Sequence, residues 1–205
     1  MDYTEFCTAA GFDVSRETFS RLETYAALLE KWQAKINLVG PKTLPDLWRR
    51  HFLDSAQLFP LIDDKNAKIA DLGSGAGFPG LVLAVLGCGE AHLVESDRRK
   101  CTFLREVVRA CDLSSVVTIH NCRIEEAGLE DVQIVTARAL APLSALLSYA
   151  EPMLAAGGVC LFLKGAGAAD EIEEAAQGRD FSSAEFPSKT AEDGVILRVS
   201  NLRKT

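Results

Sequence analysis

Residues 69–80 read IADLGSGAGFPG. A short apolar run ends at Leu72, and Gly73, Gly75 and Gly77 follow at alternate positions. Glycine is needed where a chain turns tightly or where a ligand approaches the main chain. Pro79 suits the first turn of a helix. A strand that runs through such a loop into a helix places a ligand at the carboxyl end of an open α/β sheet. Residues 75–80 also match GxGxxG, the pattern of NAD and FAD sites, but a lone match is weak. In a dinucleotide fold the first glycine ends the strand directly, whereas here Asp71 and Gly73 come first. A carboxylate beside a pyrophosphate sets like charges together, but beside a cation it is favourable. S-adenosylmethionine carries a sulfonium and an ammonium and no phosphate. Asp71 therefore favours that ligand, held directly or through water.

A second acid, Glu95, ends the next β-rich run. It stands roughly 20 residues past the glycines, the spacing of an acid that accepts from ribose hydroxyls. Both NAD and S-adenosylmethionine carry that ribose, so Glu95 does not choose between them. After the third run, Cys122-Arg123-Ile124-Glu125 offers an apolar flank and polar groups for an adenine edge. The cysteines at 7, 88, 101, 111, 122 and 160 form no CxxC pair, and His51, His92 and His120 add no ligand cluster. No metal site is expected. Buried, reduced thiols in a cytoplasmic protein fit better.

These residues need a scaffold. From residue 67 onward β-rich runs (67–72, 91–95, 115–119, 131–137, 158–163) alternate with helical stretches (79–87, 97–111, 143–154, 168–177). Such alternation implies a doubly wound parallel sheet covered on both faces. Residues 181–187 and 194–200 read as two strands around Asp193-Gly194, an antiparallel pair closing the sheet. Residues 1–64 read as a helical segment ahead of a domain spanning 65–205. Phe19, Leu22, Tyr25, Ala26, Leu29, Trp32 and Ile36 form one apolar helical stripe. Ser15 is its expected N-cap and Gly40-Pro41 its end. Thr43 reads as the N-cap of a shorter helix pair that ends at Pro60. Trp32 and Trp48 read as core packing between these helices.

The chain has 205 residues, 48% hydrophobic and 25% charged, enough for one well-buried domain with a small extension. No apolar run reaches the length of a membrane span, and the N-terminus carries early acids rather than a signal sequence. The formal net charge of −7 excludes nucleic-acid binding by global charge. It leaves room for a local basic face, for which Lys31, Lys35, Arg49, Arg50, Arg98, Arg99, Lys100 and Lys164 are the candidates.

The chain resembles the RsmG (GidB) family of bacterial 16S ribosomal RNA guanine-N7 methyltransferases. The likeness runs in order through KWQAKINLVG (31–40), RRHFLDS (49–55), the glycine loop, ESDRRKCTFLREV (95–107), CRIEEA (122–127), TARALAPL (136–143) and FLKG (162–165). It implies a class I S-adenosylmethionine-dependent methyltransferase: a Rossmann-like, mostly parallel sheet with an antiparallel C-terminal strand and a small N-terminal helical segment. It implies that Gly73 and Phe78 contact the cofactor, that Glu95 holds the ribose, and that Ile124 and Glu125 flank the adenine. Arg138 matches the arginine of the family's SRA motif, although Ala137 replaces its usual serine. The C-terminal GVILRVSNLRKT lacks the Arg-His pair of relatives, so no role is assigned there.

The implied substrate is a guanine in the decoding-region loop of 16S RNA, within a small-subunit particle, and neither DNA nor a membrane is an expected partner. Guanine N7 carries a free lone pair and no proton, so no general base is expected. Catalysis reduces to placing N7 in line with the methyl–sulfur bond. Arg138 and Lys164, after the fourth and fifth strands, are the candidates to orient the base. Three rival readings remain. A small-molecule methyltransferase would need a lid that the sequence lacks. A non-catalytic nucleotide-binding protein associated with the ribosome would bind cofactor without turnover. An NAD-dependent oxidoreductase would need acid–base groups near the sheet, and none is found.

Overall fold

The computed structural model describes residues 1–204. Helix α1 (Tyr3–Ala10) starts from an Asp2–Glu5 capping box and stops at Gly11. Helix α2 (Arg16–Gln33) begins where expected, with the Ser15 hydroxyl accepting from the Thr18 amide. It ends at Gln33, about two turns before Gly40. The reason is Gln33, whose amide oxygen accepts from the Leu38 and Val39 amides at 2.9 and 3.0 Å and whose nitrogen donates to the Val39 carbonyl. That staple replaces the helical ladder, and Ile36 packs on the core from outside the helix.

Beyond it the chain runs through tight single turns. These are a 3₁₀ turn at Pro41–Asp46, a π turn at Trp48–Leu53, α3 (Asp54–Ala56) and a 3₁₀ turn at Phe59–Leu61. Thr43 is not an N-cap. It lies inside the first of these turns and its hydroxyl donates to the Gly40 carbonyl.

The sheet contains β1 (Lys68–Leu72), β2 (Glu90–Val94), β3 (Val117–His120), β4 (Val132–Arg138), β5 (Leu154–Lys164), β6 (Arg179–Pro187) and β7 (Val195–Lys204) in the order β3-β2-β1-β4-β5-β7-β6. The first five run parallel, and β7 is antiparallel to both β5 and β6. Strand order reverses between β1 and β4, so their carboxyl ends open a crevice. Helices α4 (Gly80–Val85) and α5 (Arg98–Ala110) cover one face, and α6 (Leu143–Ala150) and α7 (Ala168–Ala176) cover the other. Helix α6 is shorter than the 143–154 expected from the sequence, because Leu154 already pairs with Val132 and opens β5.

One hydrophobic cluster joins α1 and α2 to α4 and α5. Its centre is aromatic. Tyr25 stacks on Phe78 at 5.4 Å and meets Phe52 edge-on at 5.0 Å, and Trp48 packs on both Phe19 and Phe52. Each such pair contributes roughly 0.5–1.5 kcal/mol beyond its buried area. Trp32 packs on Phe103 and donates from Nε1 to Glu106. The Cys111 thiol meets the Arg21 carbonyl at the other end, so α2 and α5 lie antiparallel. Helix α2 thereby presses directly on the glycine loop through Tyr25.

Candidate active site

The loop between β1 and α4 is left-handed at Gly73 (φ +63°), Gly75 (φ +57°) and Gly77 (φ +94°), and each glycine serves a different end. A Cβ on Gly77 would stand 2.5 Å from the Tyr25 hydroxyl and 2.9 Å from Leu81. This glycine makes room for α2, not for a ligand. A Cβ on Gly75 would meet only the Gly73 carbonyl, at 3.7 Å, so the loop lies open there. Gly73 is roofed by Leu140, whose Cδ1 would be 2.5 Å from such an atom. The Tyr25 hydroxyl donates to the Ala76 carbonyl and ties the loop to α2.

Glu95 follows β2 and is 7% exposed. Its Oε2 accepts from the Gly75 amide at 2.8 Å, and its Oε1 accepts from the Asp97 amide at 2.7 Å. The carboxylate thus joins the glycine loop to the start of α5, which Asp97 caps. Each oxygen keeps a further lone pair for an incoming hydroxyl. Asp71 is placed differently. The strand pleat sends it to the α4 face, where it is fully buried and accepts from the Thr136 hydroxyl at 2.8 Å. Burial pushes its carboxyl up to about 6, against the pull of Thr136, Ser74 and Gly80. Asp71 does not line the crevice, so its influence on a ligand runs through the loop that it supports.

Two cavities adjoin at the carboxyl ends of the strands. The larger, about 930 Å³, is lined by Gly73, Gly75, Phe78, His51, Arg138, Lys164 and the loop before β7, among others. The smaller, about 390 Å³, is lined by Glu95, Ser96, Cys122, Ile124, Glu125 and Leu140, among others. Gly73, Lys100 and Ala139 belong to both. Ile124 and Glu125 sit on a 3₁₀ turn at its edge.

Arg138 ends β4 and reaches into the larger cavity. Nη1 donates to the Arg50 carbonyl at 2.9 Å and to Asp54 at 3.3 Å, and Nη2 donates to His51 Nδ1 at 2.7 Å. Its guanidinium lies over the Phe78 ring at 5.0 Å. Burial lowers its pKa, and Asp54 works against that shift. Asp54 also accepts from Thr190, and Lys189 is bound by Gln57 and by the Ala10 carbonyl. The loop before β7, read from sequence only as the connection between two strands, is strapped to the N-terminal segment and walls the site.

The basic residues divide. Lys164 is engaged, pairing with Glu171 at 2.6 Å and donating to the Ala141 carbonyl at 3.1 Å. Glu171 in turn accepts from the Leu143 amide, so this pair clasps the loop after β4. Lys164 is thus no free cation for a phosphate. Arg49 donates to the Lys189 carbonyl, and Arg99 faces its own cap Asp97. Lys31, Lys35, Arg50, Arg98 and Arg99 are exposed. Arg50 and Lys100 line the larger cavity, and the antiparallel pairing of α2 with α5 brings the Lys35 end of α2 toward Arg99.

Sequence reasoning gave no site role to His51, Asp54 or Tyr25. A signal existed for the first two, since residues three apart share one helix face. The two cysteines beside the smaller cavity are not activated thiols: burial pushes Cys101 up to about 11, with Glu95 adding to it, and burial also raises Cys122. Among the described residues no group of three or more His, Cys, Asp or Glu is placed to hold a metal, and no helix is long and apolar enough to cross a membrane.

The site fits S-adenosylmethionine. The smaller cavity offers a carboxylate and an apolar flank that suit a nucleoside, the loop is open at Gly75, and the larger cavity presents Arg138, whose charge suits a carboxylate. P. horikoshii TYW2, solved in complex with MeSAdo, superposes with a TM-score of 0.60 at 16% identity, over 83% of this chain and 65% of that one. The sheet order and the crevice at its switch point define a class I S-adenosylmethionine-dependent methyltransferase fold. The family described as rRNA small subunit methyltransferase G (GidB) matches residues 18–193, and the chain belongs to it. A relative from Paramagnetospirillum magneticum, named ribosomal RNA small subunit methyltransferase G, is 55% identical over 100% of this chain and 98% of its own. One of the same name from Rhodospirillum centenum is 53% identical over 94% and 88%.

Proposed function

We propose that this chain transfers a methyl group from S-adenosylmethionine to N7 of a guanine in the decoding-region loop of 16S ribosomal RNA, in the cytoplasm, on a small-subunit particle. The observation that carries the reading is the pair of cavities sharing Gly73, Lys100 and Ala139, with Glu95 at one end and Arg138 at the other. Family membership supports the RNA substrate. When bound, the cofactor supplies a methyl group already activated on a sulfonium. Glu95 holds the ribose hydroxyls, Ile124 and Glu125 flank the adenine, and Gly73, Gly75, Phe78 and Arg138 hold the amino-acid end. None of these groups needs to move a proton, because N7 carries none. The chain's work is to bind, align and exclude water.

An unpaired loop nucleotide can present N7 to the larger cavity, whereas a stacked base cannot. Lys31, Lys35, Arg50, Arg98 and Arg99 meet the RNA backbone, and Arg49 and Lys100 border that surface. Lys164 acts through the loop it clasps. The test is single-turnover methylation with labelled cofactor, offered separately to small subunits, naked 16S RNA and a metabolite pool, with mass mapping of the methylated guanine. Label confined to one guanine N7 of the small subunit is the expected result. Label in the metabolite pool alone, or binding without turnover on any particle, would overturn it.

A further inference from the structure

His51 is 7% exposed, lines the larger cavity, and has both ring nitrogens engaged. Hydrogen-bond logic fixes how. Arg138 Nη2 can only donate, so His51 Nδ1, at 2.7 Å, accepts. The Thr43 hydroxyl has one proton, which it gives to the Gly40 carbonyl at 2.7 Å. Toward His51 Nε2, also at 2.7 Å, that hydroxyl must therefore accept, and Nε2 carries the proton. A single tautomer satisfies both contacts, the neutral ring protonated at Nε2. Burial and the neighbouring Arg138 and Arg50 agree, pushing the imidazole down to about 3. The ring also lies against Phe78, at 5.1 Å between centroids.

We propose that His51, held by Thr43 in one tautomer, is a positioning residue for methyl transfer that aims the Arg138 guanidinium into the cavity. The proposal rests on the functional reading above. Arg138 has five N–H donors. His51, Arg50 and Asp54 take those turned toward the N-terminal segment, which leaves Nε–H and one Nη2–H for a ligand. A fork fixed in this way recognises an oxygen acceptor, and two are available to this reaction: the carboxylate of the cofactor and O6 of the guanine. A protonated His51 would lose its acceptor and repel Arg138. The arrangement works only with a neutral ring, and no proton moves through it.

The test uses the full chain with Thr43→Val, His51→Ala and His51→Asn. An Asn Oδ1 can take the place of Nδ1 as acceptor from Arg138. Cofactor affinity is read by calorimetry without RNA, transfer by single turnover on small subunits at saturating cofactor, and folding by thermal unfolding. His51→Ala is expected to lose about tenfold to a hundredfold in one of the two functional readings, and His51→Asn to recover most of that loss. A loss of cofactor affinity assigns the aimed donors to the carboxylate, and slower transfer with unchanged affinity assigns them to O6. Thr43→Val should shift the same reading in the same direction with little change in unfolding temperature. In Asp71→Asn, which removes the other site group titrating near pH 6, the rate should be flat from about pH 5.5 to 8, since a neutral His51 gains no proton there. The proposal is overturned if His51→Ala changes neither reading, if His51→Asn falls as far as His51→Ala, or if the Asp71→Asn rate shows a limb near the ordinary histidine range. Failure of the wild-type chain to methylate any small-subunit guanine would overturn the functional reading itself, and the cofactor arm would still judge His51.

Discussion

At the scale of single residues, Glu95 and the pair Asp71 and His51 carry the sharpest expectations. Glu95 accepts from two backbone amides, so Glu95→Gln leaves one acceptor and turns a donor toward an N–H group. Charge-assisted hydrogen bonds are worth roughly 1.5–3 kcal/mol. Cofactor affinity should fall by about ten- to a hundredfold, as calorimetry would show. Unchanged affinity would remove Glu95 from the binding set. Asp71 and His51 have opposite effects on stability against pH. His51 falls from 6.5 to about 3 on folding, so the unfolded chain binds its proton first and stability drops as pH falls through that window. Asp71 rises from 3.8 to about 6, so the folded chain binds its proton first and its contribution drops as pH rises through its own window. The two slopes oppose each other between about pH 4 and 6. Asp71→Asn should therefore gain stability with pH more steeply than wild type there, and His51→Asn less steeply, as denaturant midpoints measured across that range would show.

At the scale of elements, the site depends on α2 meeting the glycine loop. Gly77 and Tyr25 form that contact, and their substitutions should couple. Gly77→Ala forces a Cβ against the Tyr25 hydroxyl at 2.5 Å on left-handed backbone and should cost about 2 kcal/mol or more. Tyr25→Phe removes that hydroxyl and its bond to Ala76, at about 1 kcal/mol. The double variant should be more stable than the sum of the two losses, because one change makes room for the other. Strict additivity in urea unfolding would show that the loop and α2 do not press on each other. Relief should be partial, since Leu81 and Leu104 also crowd the position, at 2.9 and 3.0 Å.

At the scale of the whole molecule, two properties follow from how charge and core are distributed. An acidic chain of net charge −7 can hold RNA only through a local basic face. Methylation should weaken as salt rises. Paired alanine substitutions at Lys31/Lys35 or at Arg98/Arg99 should flatten the log–log slope by roughly 0.7 for each phosphate of single-stranded RNA that the variant no longer neutralises. Equal slopes in all variants would make these residues ordinary surface. The second property concerns the boundary expected near residue 64. The cluster that joins α1 and α2 to α4 and α5 crosses it. A fragment of residues 65–205 would expose that apolar face and should not fold as a monomer. Cooperative unfolding of the isolated fragment, followed by circular dichroism, would show instead that the two parts are independent.

The elements and the kind of ligand were legible in the order of residues. Strand and helix order from residue 67 onward, the cap at Ser15, the turn at the three glycines and the acid at Glu95 are local matters. Period, propensity and left-handed backbone are written within a few residues of each position. What each of these residues does was settled by packing. Gly77 serves α2 and Gly75 the ligand, although both are glycines of one motif, because only packing determines which side of the loop is occupied. Asp71 turns to the α4 face because the pleat of β1 sends it there, and Lys164 loses its free charge to Glu171, which lies on α7. His51 gains a role only when β4 brings Arg138 to it, across 87 positions of chain. Hydrogen-bond partners this far apart leave no periodic trace in sequence, so a relay built from them becomes visible only when the sheet and the N-terminal helices close on each other.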